Sequence, residues 1–417
     1  MTSARSLPDT GRDSLQASPH ESEIRLLFAV AALVFTVTVL IGMLNGQQVL
    51  QLSRDVLLTH VHAGTLGWIT LGVFALSLWL FGLDERTSQP SQYVRWLSVV
   101  AAIAVPCYIA AFLSGNFIAR AVFGAPVLLV VLGFFGWVIA RASQAPLGVA
   151  RLALLGAYLT LSLGALLGVL LQFEFASGQF FLPAGAFAAH PGALVTGYLV
   201  LVGMAVSEWR LRPTTRGDFR LGVAQISCFF ASGLLLMVAF LADIVPLLAL
   251  NTLLLIAGVA IYIWRFGLRV ARAGWLTRSG ERFFAASAVF IVVNIALTVF
   301  LTVGLVTQMF TPETIPEGVL LAMDHTMFIG VMTNALFGMI QVGVEGRRAT
   351  WAWANDAVFW GMNVGLAGFA VGLITGETLL YRVFTPIMGL AILLAIVMYA
   401  WLLLRRPAGE AGAVSPA

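Results

Sequence analysis

Residues 59–82 read THVHAGTLGWITLGVFALSLWLFG, a run with no Lys, Arg, Asp or Glu and with two histidines at its start. An α-helix rising about 1.5 Å per residue crosses the roughly 30 Å hydrocarbon layer of a bilayer in about 20 residues. This stretch is long enough to do so. The pattern recurs along the chain. Hydrophobic residues make up 60% of the 417 positions, charged residues only 10%, and mean hydropathy is +0.96. A soluble domain carries about 25% charge. The fold class that follows is all-α: a polytopic membrane protein.

Twelve spans are expected, near 26–46, 60–83, 94–113, 118–140, 149–172, 188–208, 221–241, 246–264, 283–307, 320–341, 353–374 and 382–404. They form a single transmembrane domain over 24–405. The first run is too long for a signal-peptide core and reads as a retained span. The segment 1–23 is rich in Ser, Asp, Glu and Pro and reads as a disordered cytoplasmic tail. Residues 406–417 read as a second cytoplasmic tail.

Charge sets the expected orientation. The chain has no lysine, and its basic residues are 23 arginines. With a cytoplasmic N-terminus, 20 of them fall in the tails and the loops joining even to odd spans. Only Arg54, Arg120 and Arg382 fall on the other side. This is the positive-inside pattern. It places both termini in the cytoplasm, in a bacterial-type inner membrane. The isoelectric point of 9.4 therefore reports topology, with membrane lipid rather than nucleic acid as the partner. Cys107 and Cys228 lie inside apolar spans and suggest neither a disulfide framework nor a thiolate metal site.

Four of the five histidines are not scattered; His20 alone is in the polar tail. His60, His62, His190 and His325 stand at the outer ends of the second, sixth and tenth spans. His62 to His190 is 128 residues and His190 to His325 is 135. The local sequences HAGTLGWITLG, HPGALVTGYLV and HTMFIGVMTNALFG each start with His and carry glycine within two turns. They read as three divergent four-helix repeats, so the twelve helices form three pseudo-symmetric arcs. Ionisable groups in a bilayer are costly and are kept for function. Residues two apart on a helix stand about 200° apart around its axis, so His60 and His62 face opposite sides and one helix serves two neighbouring sites. Neutral imidazole is an axial ligand for heme iron and a ligand for copper.

At these residues the chain resembles the catalytic subunit of the heme–copper oxidase superfamily, whose twelve spans form three arcs. His60-Val61-His62-Ala63-Gly64 is similar to the tenth-helix motif of the cbb-type enzymes, where the first His serves a high-spin heme and the second a low-spin heme. His190-Pro191 resembles the His-Pro at the copper ligand of the sixth helix. The resemblance implies a low-spin b-type heme on His62. Its partner is His325 if spans map by position, or His190 if the second span plays the family's tenth. The positional mapping needs no permutation and is preferred. Copper is a further ligand the histidines could take, but the family's copper site draws two more histidines from the seventh helix. Residues 221–241, LGVAQISCFFASGLLLMVAFL, contain none, and neither does the eleventh span. A complete oxygen-reducing binuclear centre is therefore not expected. The NnrS family, twelve-span heme and copper proteins of nitric oxide response, is a second resemblance. A heme-protein electron donor or other oxidase-like subunits are the implied partners.

Other polar residues admit two readings. Asp324 could accept the second N–H of His325 or cap the tenth helix. Arg54, six residues before His60, could bind heme propionates. Thr333, Asn334, Asn363 and Asn294 suit hydrogen bonds between helices. Trp68, Trp79, Trp264, Trp275 and Trp353 read as interface anchors. No phosphate-binding glycine loop or nucleophile elbow is present, and without C-x-x-C-H any heme is non-covalent. Two other classes compete. A transporter could use the histidines for metal or proton coupling, since repeats and twelve spans suit it equally. A non-catalytic subunit could retain the fold without heme.

Overall fold

The structure, a computed structural model, describes residues 15, 18–82, 91–144, 147–211, 219–311, 313–344 and 351–404. Among them no strand forms, and 12 helices are long and apolar enough to cross a membrane. They are α1 Glu21–Gly46, α2 Arg54–Gly82, α3 Gln92–Leu113, α4 Phe117–Ala142, α5 Val149–Ser177, α6 Ala186–Arg210, α7 Phe219–Ala242, α8 Val245–Ala271, α9 Glu281–Val306, α10 Glu317–Gly343, α11 Ala352–Thr375 and α12 Thr378–Leu403. The protein is a multi-pass membrane protein of the expected class.

Three helices are interior and nine are peripheral. The most apolar stretches of α2, α6 and α10 are 83%, 78% and 78% buried, against 50% or less for every other helix. The peripheral helices turn large apolar side chains outward, Leu33, Leu129 and Trp264 among them. In water that pattern would be unstable; facing lipid it costs nothing. The interior helices are four apart in the chain, as a three-fold repeat requires.

Each interior helix departs from α geometry at the same place. Residues Ala63–Thr70 of α2, Ala193–Leu199 of α6 and Thr326–Thr333 of α10 are wound as π-helix. Such segments are rare and cluster at functional sites. In α6, Pro191 lacks an N–H just before the onset, which favours a break in the α ladder. In α2 and α10, hydroxyls stitch the wider turn: Thr70 Oγ1 donates to the Thr65 carbonyl at 2.9 Å, and Thr333 Oγ1 to the Phe328 carbonyl at 2.9 Å.

The π onsets also correct the repeat register. Counted from the start of each segment, one position is glycine in all three: Gly67, Gly197 and Gly330. Each meets a side chain of the preceding helix, Val34, Thr160 and Phe290 respectively, where a Cβ would lie within 3 Å of it. In this register His60 matches His190, and His62 matches His325. The alignment on the first histidine of each motif is therefore two residues off in α6.

Buried polar groups join the helices as expected. Asn334 and Asn363 exchange side-chain bonds of 2.8 and 3.1 Å between α10 and α11. Asn294 of α9 donates to the Met323 carbonyl at 2.7 Å. Thr333 accepts from Trp68 Nε1 at 3.0 Å. At the arginine-rich end, Arg265 of α8 pairs with Glu208 of α6 and donates to Gln225 of α7 at 2.9 Å.

Two expectations change. Trp68 and Trp79 are not interface anchors. Both are buried, Trp68 stacking on Phe35 at 4.6 Å and Trp79 meeting Trp209 edge-on at 6.1 Å, because they lie on interior helices with no lipid face. The end of the N-terminal tail also packs. Leu15, Ser18 and His20 are buried, and α1 starts at Glu21. The remainder of residues 1–17, and the tail from 406, lie outside the described residues.

Candidate functional site: two imidazole pairs flanking one helix

Every one of the four intramembrane imidazoles is held by Nδ1. His60 Nδ1 bonds the Thr38 carbonyl at 2.9 Å and His190 Nδ1 the Gly164 carbonyl at 2.7 Å. His62 Nδ1 bonds the Leu58 carbonyl at 2.8 Å and His325 Nδ1 the Leu321 carbonyl at 2.7 Å. A carbonyl oxygen only accepts, so the proton of each neutral ring is assigned to Nδ1. Nε2 keeps its lone pair, the state in which imidazole ligates a metal. An anchored Nδ1–H also fixes ring orientation and raises ligand basicity.

The anchors fall into two kinds. His60 and His190 lean on the preceding helix, which offers a carbonyl and, four residues later, a glycine. Gly42 lies under His60 and Gly168 under His190; a Cβ there would sit 2.9 and 2.6 Å from the ring Cε1. His62 and His325 bond their own helix one turn back. This division follows the corrected register, so it is a property of the repeat.

The structure then joins one of each kind across a helix boundary. His62 of α2 and His190 of α6 stand in the walls of one cavity of about 430 Å³. His325 of α10 faces His60 of α2, with ring centroids 6.5 Å apart and planes inclined by 29°. The expected positional pair of His62 with His325 is thus replaced by two pairs on opposite flanks of α2. The third equivalent boundary, α6 with α10, carries Gly192 and Met323 at the matching positions.

The cavity is mainly apolar. His62 lies against Phe112, with centroids 3.7 Å apart and planes at 18°, and Tyr108 meets it edge-on. Its volume falls within the roughly 300–1,000 Å³ of small-molecule sites. Its charged groups and its one amide, Arg54, Asp55, Arg120 and Gln172, come from the same end of α2, α4 and α5. Arg54 is exposed. Arg120 is the residue sequence reasoning undervalued. Its guanidinium is 2% exposed, and Nη2 bonds Asp55 Oδ1 at 2.5 Å and the Phe112 carbonyl at 2.9 Å. Among the described residues, neither its Nε nor the Gln172 Oε1, both buried, has a hydrogen-bond partner. Buried polar atoms are costly when unpaired, so this end is built to receive a polar group. The available signal was Asn116, which caps α4 by accepting from Ala119 N at 3.0 Å and so sets Arg120 in the first turn.

Asp324 takes neither expected role. The tenth helix starts at Glu317, so Asp324 is no cap, and the His325 Nδ1 proton goes to Leu321. Among the described residues, no three of His, Cys, Asp and Glu gather where one metal ion could bind them. The imidazoles come in twos. Compared with known proteins, the chain matches no family model and no curated relative, so the reading of this site rests on its own geometry.

Proposed function

We propose that the protein is a heme-binding membrane protein whose cavity between α2 and α6 would take a non-covalent b-type heme, held through Nε2 of His62 and of His190. One observation carries the reading: two neutral, Nδ1-anchored imidazoles wall a single apolar cavity whose polar end holds a buried guanidinium. A porphyrin supplies four ligands of its own, which suits a site where protein ligands come in twos. Arg120, with its free Nε, and Arg54 would hold the propionates, since guanidinium pairs well with carboxylate. When bound, a heme would supply one-electron redox chemistry, and the two imidazoles that would hold it suit electron transfer. Phe112 and Tyr108 hold the His62 ring and keep water from it. On the arginine count, the polar end lies toward the extracytoplasmic face, where an electron-donating protein would dock.

The test is the reduced-minus-oxidised spectrum of detergent-purified protein with a pyridine hemochrome assay. The expected result is one b-type heme per chain, lost in His62→Ala and in His190→Ala and kept in His325→Ala. A wild-type protein that stays colourless after incubation with heme would overturn the reading. Retention of full heme by His190→Ala would overturn the ligand pair.

A further inference from the structure

A second concavity lies on the outside of the bundle, and none of the four imidazoles lines it. It is a groove of about 360 Å³ built by three helices, with α5 packed against both α4 and α7. Phe135 and Ile139 come from α4, Leu152 and Leu159 from α5, Val223 and Phe230 from α7. Ser227 is the one polar side chain in its lining. Gly156 of α5 leaves the floor open; a Cβ there would stand 3.2 Å from Phe230 Cδ2. The groove faces outward, since Ile139 and Leu159 are 49% and 36% exposed.

Size and depth select the occupant. Along α5 the groove runs from Leu152 to Leu159, about 10 Å of helix. Spread over that length, 360 Å³ gives a mean section of roughly 36 Å², less than half that of a helix about 10 Å across. A transmembrane helix does not enter it; a hydrocarbon chain does. Left unfilled, it would deprive Phe135 and Phe230 of contacts on one side. On α7 it spans Val223 to Phe230, about 6 to 17 Å beyond the helix start at Phe219. That is acyl-chain depth, on the arginine-rich side of the bundle.

Charge adds the headgroup. Arg220 precedes Val223, Ser227 and Phe230 on α7 by three, seven and ten positions, so it continues the side that α7 turns to the groove. Side chains tilt toward a helix's N-terminus, which carries the guanidinium away from the hydrocarbon to the level of lipid phosphates. Arg220 is exposed, and among the described residues none of the ion pairs uses it. Two nearby arginines point elsewhere: Arg151 lies over the Phe81 ring at 5.5 Å, and Arg141 donates to Gln144 at 3.0 Å. A cation one turn beyond an apolar groove complements a phosphate joined to a hydrocarbon chain, and basic sites between spans select anionic headgroups. We propose that the groove between α4, α5 and α7 holds one anionic phospholipid, with an acyl chain laid along Gly156 and the phosphate on Arg220.

The experiment strips lipid from the detergent-purified protein, offers phosphatidylglycerol or phosphatidylcholine with the same acyl chains, and counts bound lipid by native mass spectrometry. The expected result is one phosphatidylglycerol per chain, held about tenfold more tightly than phosphatidylcholine, as a charge-assisted contact gives. Arg220→Gln should erase that preference while leaving the chain site. Ser227→Trp, at an exposed position of the groove wall, should fill the groove and abolish tight uptake of both lipids. Arg272→Gln removes another exposed arginine, at the same end of the bundle, and should change nothing. Each variant must elute as a single species from size exclusion. The proposal is overturned if the wild type shows no preference, if the preference survives Arg220→Gln, if Arg272→Gln weakens it as much, or if Ser227→Trp still takes up lipid tightly. A wild type that elutes as a dimer beside a monomeric Ser227→Trp would assign the groove to a second copy of the chain and overturn it too. A colourless wild type that binds the lipid would sink only the heme reading.

Discussion

A methyl group decides whether His190 can stand where it does. Gly168 lies under that ring, and a Cβ there would meet Cε1 at 2.6 Å, well inside contact distance. The ring must tilt, and the Nδ1 bond to Gly164 must lengthen. Gly168→Ala should therefore lower heme content while the helices stay intact, read by hemochrome beside circular dichroism. Gly136 provides the control. Nothing lies within 4 Å of its would-be Cβ, so Gly136→Ala should leave heme unchanged and gain about 0.5–1 kcal/mol of helix stability. The histidines were legible in the sequence as residue types at a depth, because a bilayer makes such residues rare. Their partners were not. A carbonyl four residues before a glycine on another helix leaves no mark a single sequence shows.

Among the elements, the three π segments matter most. A π turn holds an extra residue, so it rotates everything before it relative to everything after it. Deleting Ile69 should restore α winding and turn His60 and His62 by about 100° against the rest of α2. The expected outcome is full helicity without heme, checked by circular dichroism and the pyridine hemochrome assay. The polar ladder between α10 and α11 offers a second test. Asn363→Leu leaves Asn334 Oδ1 without its donor, while Nδ2 keeps the Gly330 carbonyl at 2.9 Å, and should cost about 1 kcal/mol of thermal stability in detergent. Adding Asn334→Leu should cost less than a second such step. Span positions were readable because hydropathy over twenty residues averages out local detail. The π segments were not, because a turn with one more residue has the same composition. The clue lay in a spacing: His62 and His325 stand five residues before the shared glycine, His60 and His190 seven. Trp68 and Trp79 misled for a related reason, since an aromatic on an interior helix looks like an anchor until its neighbours are known.

For the molecule as a whole, the arginine-rich end is the structural clamp. Arg265 and Glu208 are almost fully buried, and with Gln225 they tie three helices of the second arc, α6, α7 and α8, together. Arg265→Met would remove the cation buried against Glu208 and its bond to Gln225, and should lower the melting temperature, since breaking a buried pair costs about 3–5 kcal/mol. Topology is open to a direct check. A fluorescent protein fused to the C-terminus should be bright if that end is cytoplasmic, and a periplasmic reporter in the loop around Gln179 should be active. The three-arc architecture was visible in the chain as four-span intervals, whereas the choice of neighbours around the ring needed three dimensions. That choice has a mechanical meaning. α2 carries one imidazole on each flank, so it is a shared mount: turning it slightly moves His60 and His62 in opposite directions across the bundle. A ligand that shifts one imidazole of α2 would thereby shift the other. Any coupling carried this way is equal in both directions, with α2 as its rocker arm.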